Sequence, residues 1–471
     1  MNKKIRAVAA VCLALSMMTA PASLTVTASA AAPDINDYVR MDDMVSFDMT
    51  DAEFWIENST VDPNKTIHSK KNLPALRENN APMIGYETGE FSIYDVDGTL
   101  DGDIVRYFVG AATVPDDPSA VYLRGKPTTS SYWEKLREKA NYDAIPDAVE
   151  VKYGYSIIRS SLRAFPSYDF IGEDQSDRFY DVMVWSEFMP FAPLIVVHES
   201  TDGEWYYVMF EGFCGWVRKD CVAICEDKED WLARKDPDEF LMVTGREVRL
   251  QDDVVNTSLS GSLIPMGTKL PLVKAEDAPE FINDRETKGC YIVKLPVRGS
   301  DGMIEDRYSL ISIKEDVNIG YLPYTGANVV RQAFKLFGDR YGWAGVEHSN
   351  DCSGITDEIY RCFGIYLPRT SGDIAGFNGK KTYDVSEYSA KKKINLLSRL
   401  PIGTVIYFRG HIMIYIGVYN GDPYCISATG TYLDDDGKVY DTNSVIVTNM
   451  RTTHRADGQT WIEHAAKFIV V

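Results

Sequence analysis

One cysteine and one histidine, each at the start of a regular element, constrain this chain more than any other feature. Asn350-Asp351-Cys352-Ser353-Gly354 opens a helical pattern, with Asp351 as its cap, Ile355, Ile359 and Cys362 as its apolar stripe, and Gly364 as its stop. About 60 residues later, Gly410-His411-Ile412-Met413-Ile414-Tyr415-Ile416-Gly417 opens a strand, the kind of separation found when a nucleophile and its base meet only in the fold. Unpaired N–H groups and the dipole at a helix start stabilise a thiolate, and a nearby imidazolium adds to this. His411 directly follows a glycine, so its ring can project from a sheet edge toward that helix. The pair reads as nucleophile and base for acyl transfer, with N–H groups beside Cys352 as an oxyanion hole. Spacing alone leaves open a buried packing cysteine and an unrelated surface histidine.

The surrounding pattern is helix, helix, strand meander. Residues 328–337 place Val330, Ala333, Phe334 and Phe337 on one stripe before Gly338. Strands are expected at 404–408, 411–418, 424–428, 444–448 and 467–471, the second and third joined across Asn420-Gly421. Further upstream the spacing is that of small barrels. One set of short strands covers 151–158, 193–199, 205–210 and 215–217, with Asp202-Gly203 as a hairpin turn. A second covers 240–243, 269–273, 290–295 and 308–313. Gly215-Trp216-Val217 and Gly320-Tyr321-Leu322 hint at a weak internal repeat. Trp205, Tyr206 and Trp216 are candidates for a binding surface or for barrel core. Residues before 150, rich in Asp, Asn and Pro, read as an arm with a small core of its own and a helix near 132–141.

The N-terminus reads as an export signal. Lys3, Lys4 and Arg6 precede an apolar run at 7–18 and the small-residue cleavage site Ala28-Ser29-Ala30. That run is too short to span a bilayer, and no later segment reaches the length of a membrane span. Cys12 follows Val11 and is not read as a lipid anchor. A net charge of −20 argues against nucleic acid, whose affinity comes largely from Lys and Arg on phosphates. Cys214, Cys221, Cys225, Cys290, Cys352, Cys362 and Cys425 would remain after cleavage, an odd set with at least one free thiol. The first four could pair or bind zinc, but they lack C-x-x-C pairs, so no metal site is expected. Cys362 and Cys425 fall on apolar faces as packing residues.

Three motifs carry a family resemblance. Asp351-Cys352-Ser353-Gly354, then Phe363-Gly364-Ile365-Tyr366-Leu367-Pro368-Arg369-Thr370-Ser371, then the Gly410–Gly417 run closely resemble the NlpC-type cell-wall cysteine peptidases, in the family's order. Tyr341-Gly342-Trp343-Ala344-Gly345 looks like the family's Tyr-x-Trp-Gly-Gly element, with Ala344 replacing one glycine. Leu162-Arg163-Ala164-Phe165-Pro166 and Asp202-Gly203-Glu204-Trp205 resemble the bacterial SH3-like domains that precede this peptidase in one subgroup.

The resemblance implies an α+β chain. A signal peptide at 1–30 and a mixed, partly helical region at 31–150 would precede SH3-like barrels at 151–227 and 228–325. A papain-like NlpC-type domain, helices packed on an antiparallel sheet, would follow at 326–471. It implies a secreted, cell-wall-associated enzyme without a cofactor that hydrolyses the γ-D-glutamyl to diamino-acid bond of peptidoglycan stem peptides. The barrels would flank the cleft and select short peptides with a free N-terminal L-Ala. Cys352 would be the nucleophile and His411 the base. Asp351, Ser353 and Ser371 would line the peptide subsite, Tyr341 would support the oxyanion, and Trp343 would pack beside the cleft. The family's third polar residue, usually His, Asn or Gln on the next strand, is here Ser427, shorter and less basic. His348 is expected on an exposed loop; His454 and His464 match no motif.

Two rival readings come from other classes. Asp95-Val96-Asp97-Gly98-Thr99 matches a haloacid dehalogenase-type phosphatase signature, but a Pro-rich loop follows where a parallel βαβ series is needed. An Asp/Gly turn accounts for it. A catalytically weak or inactive wall-binding protein on the peptidase fold is the second, with Ser427 in its favour and the intact Cys352 and His411 against it.

Overall fold

In the computed structural model, which describes residues 39–40, 45–87, 89–255 and 257–471, every residue of the strand Trp205–Phe210 is buried. Successive side chains on a strand face opposite sides. Trp205, Tyr207 and Met209 accordingly enter one core with Ile195, Val197 and Trp216, while Tyr206, Val208 and Phe210 enter another with Leu162, Leu194 and Val196. A sheet apolar on both faces needs a cover on each. The helix Gly102–Val109 supplies one, adding Val105, Phe108 and Val109 to the first core, and the Tyr207 hydroxyl donates to the Phe108 carbonyl at 2.9 Å. Residues 84–149 therefore share a core with this sheet instead of forming one of their own, whereas the Phe54 and Trp55 rings pack against Tyr419 and Tyr424. The chain divides into two units, 1–43 and 44–471, and this description concerns the second. The expected signal segment, with Cys12, lies outside the described residues.

The sheet has seven strands, ordered Val184–Phe188, Ser160–Arg163, Phe213–Arg218, Trp205–Phe210, Pro193–Glu199, Lys152–Ser156 and Val222–Ile224, with antiparallel neighbours. Trp205, Tyr206 and Trp216 are core residues of this sheet, not a binding surface. A second antiparallel sheet orders Ile304–Ser312, Cys290–Arg298, Lys269–Val273, Phe240–Val243 and Val317–Ile319 around Leu241, Val243, Leu270, Val293, Leu295 and Ile311. The two segments that hint at a repeat are placed differently. Trp216 lies inside a strand, whereas Tyr321 follows the strand Val317–Ile319 and packs against Phe240 and the Arg77 guanidinium.

The phosphatase-like segment is a turn. Asp95 and Asp97 are exposed, Gly98 has φ +74°, and Thr99–Asp101 pairs antiparallel with Ala148–Glu150 in a two-stranded ladder. The parallel sheet that a phosphatase site needs is not formed by it.

The last unit is a six-stranded sheet with antiparallel neighbours, ordered Lys381–Asp384, Lys467–Val470, Val405–Phe408, His411–Tyr419, Asp422–Leu433 and Val439–Asn449. Asn420 and Gly421 both have positive φ, as a two-residue type I′ hairpin turn requires. The last two strands run well past the expected 424–428 and 444–448. Their outer half is polar, so backbone pairing continues where apolar alternation has stopped. The helix Cys352–Arg361 lies against the strands that begin at His411 and Asp422, burying Ile355, Ile359 and Tyr360. All seven described cysteines are free thiols, with Cys362 and Cys425 fully buried. Among the described residues no helix is long and apolar enough to cross a membrane.

One buried ionic cluster ties the first sheet to the Cys352 helix. Arg159 Nε donates to Glu187 Oε2 at 2.8 Å, its Nη2 to Asn350 Oδ1 at 2.8 Å, and its Nη1 lies 3.1 Å from Glu358 Oε1. One guanidinium serves two carboxylates, and Glu358 is the less fully bonded. Burial pushes Glu358 from 4.5 up to about 7, against the pull of Arg159 and with Glu187 adding to the rise. A folded-state pKa above the unfolded value means that the native state keeps a proton the unfolded chain has released. Stability from this group is therefore full below about pH 4.5 and declines as pH rises toward 7. Urea unfolding at pH 5.0 and 7.5 should show Glu358→Gln flattening this decline by about 1–3 kcal/mol; an unchanged slope would mean Glu358 is ionised throughout.

Candidate active site

The site is built around the start of one helix. Asp351 is its N-cap: Oδ1 accepts the Gly354 N–H at 2.8 Å and the Ser353 hydroxyl at 3.0 Å. Arg369 grips the same carboxylate with Nη1 to Oδ1 at 3.1 Å and Nη2 to Oδ2 at 2.8 Å, and the Ala344 N–H reaches Oδ2 at 3.2 Å. Burial opposes ionisation of Asp351, but the Arg369 guanidinium and these donors hold it below the usual carboxylate range. Arg369 also donates from Nη1 to the Ser353 hydroxyl at 2.9 Å and from Nε to Ser186 Oγ at 3.0 Å, on the edge strand of the first sheet. Asp351 and Ser353 thus line the cleft with their polar atoms already engaged. The role of Arg369 was not read from the sequence, although it lies inside the Leu367-Pro368-Arg369-Thr370-Ser371 motif.

Cys352 is 9% exposed, and its sulfur accepts the backbone N–H groups of Ile412 and Ser353. Burial, then the Asp351 carboxylate, push the thiol up to about 12, while the Ile412 N–H, Arg369 and the Ser353 N–H pull the other way. His411 is partly exposed and packs its ring against Phe408 and Trp461, with centroids 5.3 and 5.4 Å away. Burial, then the Arg455 charge, hold its imidazole down to about 4, against Asp351. The surroundings of each group therefore favour its neutral form, a thiol and an imidazole that line the same cleft.

The imidazole's outer nitrogen has a partner. His411 Nε2 lies 3.2 Å from Ser427 Oγ, which lies 2.9 Å from Thr429 Oγ1, and the Thr429 hydroxyl is 3.5 Å from the Ser427 carbonyl. Both hydroxyls are buried. Donation in one direction fits all three contacts: imidazole to Ser427, Ser427 to Thr429, Thr429 to carbonyl. That direction puts the ring proton on Nε2 and leaves Nδ1 as the basic nitrogen. Thr429 was missed in the sequence, yet its signal was present, because positions 427 and 429 share one face of a strand.

These residues line a cleft of about 550 Å³ with Trp185, Tyr341, Trp343, Ser371 and Arg455. Tyr341 is pushed above the usual phenol range by burial, Asp351 and Cys352. Trp343 is 47% exposed at the mouth, and the Tyr180 ring lies 6.3 Å from Tyr341 and 6.2 Å from Trp343. Tyr180 belongs to the segment leading into the strand Val184–Phe188, and its hydroxyl reaches Asn443 Oδ1 at 3.4 Å. A Cβ on Gly430 would come within 2.7 Å of that hydroxyl, so glycine is what lets the segment close over this rim. Ala344 has φ +53°, a left-handed conformation that glycine would hold without strain. Ser371 begins the short helix Ser371–Ile374.

His348 is exposed. His454 and His464 pair with Asp435 and Asp457 at 2.7 and 2.9 Å, and only His454 reaches the cleft rim. Among the described residues no group of three or more His, Cys, Asp or Glu is placed to hold a metal ion. A larger cavity of about 650 Å³, lined by Tyr94, Phe191, Lys269 and Tyr366, contains neither Cys352 nor His411.

Residues 338–465 match the NlpC/P60 family, and residues 166–218 match an SH3 domain of SH3b1 type. The chain is 29% identical over 114 residues to the probable endopeptidase p60 of Listeria seeligeri, a match covering 24% of this chain and 18% of that protein. The probable endopeptidase p60 of Listeria monocytogenes matches at the same identity and length, over 20% of its own chain. This chain thus spans about a fifth of the length of the curated relatives it matches. An NlpC/P60 endopeptidase structure from Photobacterium damselae subsp. piscicida superposes with a TM-score of 0.68 at 19% identity, covering 92% of this chain and 98% of that one, which shows a shared fold. Together with the site geometry, these matches identify residues 338–465 as an NlpC/P60-type cysteine peptidase domain accompanied by an SH3-like domain.

Proposed function

We propose that this protein hydrolyses the γ-D-glutamyl to diamino-acid bond of peptidoglycan stem peptides, outside the cytoplasm and in association with the cell wall. The observation that carries the reading is the fastening of His411 Nε2 to Ser427 beside a cysteine at a helix start. His411 Nδ1 takes the Cys352 proton as the sulfur attacks the γ-carbonyl carbon. The negative charge that forms on the carbonyl oxygen is met by N–H groups at the helix start, with the Tyr341 hydroxyl in support. The imidazolium then gives its proton to the leaving amine, and water releases the acyl group by the same route in reverse. Asp351 and Ser353 keep the subsite in shape through Arg369, Ser371 faces the peptide, and Trp343 borders the mouth.

The domain reading is 31–150, 151–227, 228–325 and 326–471, with the second antiparallel sheet as another SH3-like barrel. Its separate apolar core supports this. Tyr180 and Trp185, from the first sheet's region, wall one end of the cleft, which favours short released peptides over intact wall. A free N-terminal L-Ala fits such a closed end.

Wild type and Cys352→Ala, incubated with L-Ala-γ-D-Glu-diaminopimelate and followed by mass spectrometry, should give cleavage only in the wild type. Absence of product in both would leave wall binding as the function. Because the imidazole stays neutral to about pH 4, kcat/KM should hold its neutral-pH value down to about pH 5, where an ordinary histidine would already be charged. Ser427→Ala should lower kcat about 10–100-fold, less than the roughly 10²–10⁴-fold of a group that itself transfers the proton, and Thr429→Val less. Unchanged kcat in Ser427→Ala would refute the orienting role.

A further inference from the structure

We propose that Arg455 determines specificity on the leaving side of the cleft by receiving a carboxylate of the departing fragment. This rests on the hydrolase reading above and extends it to a part of the site that no motif covers. The segment carrying Arg455 is pinned in place. His454 exchanges backbone hydrogen bonds with Leu433 at 2.8 and 3.1 Å, at the end of the strand Asp422–Leu433, and the Arg455 N–H and carbonyl close a tight loop onto Gln459 and Gly458. The guanidinium lies over the Phe408 ring, 5.0 Å from its centroid, and Nη1 donates to the Arg409 carbonyl at 2.8 Å.

Among the described residues Arg455 forms no ion pair, although the Asp457 carboxylate two positions on feels its charge. No carboxylate among the described residues lies within ion-pair distance of it, and its Nε and Nη2 donate to no described residue. The acids nearby are committed elsewhere: Asp457 to His464, Asp435 to His454, and Glu463 to Thr460 at the start of the next helix. The contrast with Arg369 is direct. Both guanidiniums line the same cleft, but Arg369 is neutralised by a two-pronged grip on Asp351. In a chain with 69 acidic and 49 basic residues, a partly exposed arginine in this cleft without an ion-paired acid is poised for an anion from outside.

The reaction fixes which anion. The imidazole that accepts the Cys352 proton delivers it to the leaving amine, so the leaving fragment must lie against His411. Arg455 is close enough for its charge to act on that ring. A diamino acid leaving through its α-amine carries a carboxylate one carbon from the departing nitrogen and, in diaminopimelate, another at the end of its side chain. The planar fork of arginine matches a carboxylate with paired hydrogen bonds. Binding one there would also offset the Arg455 charge felt by His411 and make the base stronger only when substrate is present.

The test uses the full protein and three peptides: L-Ala-γ-D-Glu-diaminopimelate, the same peptide amidated at its main-chain carboxyl, and the same peptide amidated at its side-chain carboxyl. Wild type should lose about 10–100-fold in kcat/KM on one of the two amides, the worth of a hydrogen-bonded charge, and that arm identifies the carboxylate. Arg455→Met should cleave the free acid at the rate wild type shows for the sensitive amide, and should treat all three alike. Arg455→Lys should fall between, keeping charge without the fork. An equal loss by Arg455→Met on every peptide would reduce Arg455 to a structural role and overturn the assignment. So would wild-type cleavage indifferent to either amidation. If wild type cleaves none of the three while its circular dichroism and thermal unfolding show a folded protein, the substrate reading itself falls, and this assignment with it.

Discussion

The grip of Arg369 on Asp351 is the interaction on which the rest of the site depends. A buried charge pair is a poor source of stability by itself, yet removing one partner typically costs about 3–5 kcal/mol because the other is left uncompensated. Here the carboxylate does several tasks at once: it caps the Cys352 helix, fixes the Ser353 hydroxyl, and holds the Ala344 N–H, while Arg369 reaches across to Ser186. The helix start, the Tyr341–Gly345 segment and the edge of the first sheet are thereby fixed to one point. Loss of that point would displace the nucleophile, the cleft mouth and the neighbouring sheet together.

The same carboxylate has a chemical consequence. Its negative charge, added to burial, disfavours a thiolate at Cys352, and the N–H groups of Ile412 and Ser353 together with Arg369 work against it. On the other side, burial and Arg455 disfavour an imidazolium. Neither partner is charged by its own surroundings. Charge separation becomes favourable only when the two form together and a substrate carbonyl is present to receive the attack. On the proposed reading such a pair stays quiet in water and acts only against a bound peptide.

Much of this architecture was legible in the sequence, because it rests on local pattern. The helix after Asp351, the strand after Gly410 and the Asn420-Gly421 turn each follow from periodicity and caps within a few residues. What escaped was pairing between segments distant in the chain. Arg159 meets Glu358 and Asn350, Arg369 meets Ser186, and Tyr180 closes over Gly430; no local signal marks any of them. The shared core of the N-terminal region was missed for a related reason. A strand such as Trp205–Phe210 announces that both faces are buried, but not which segment covers each. Arg455 is different again, since its interest lies in the ion pair it does not form among the described residues.

The central claim is that His411 stands as a neutral imidazole protonated at Nε2, with Nδ1 left for Cys352. Nitrogen NMR of protein carrying ¹⁵N-labelled histidine, followed from pH 4 to pH 8, reads this directly. The account predicts a neutral Nε2–H tautomer for His411 across pH 5 to 8, with the other ring nitrogen unprotonated. An imidazolium at pH 7, or a neutral ring protonated at Nδ1, would contradict it.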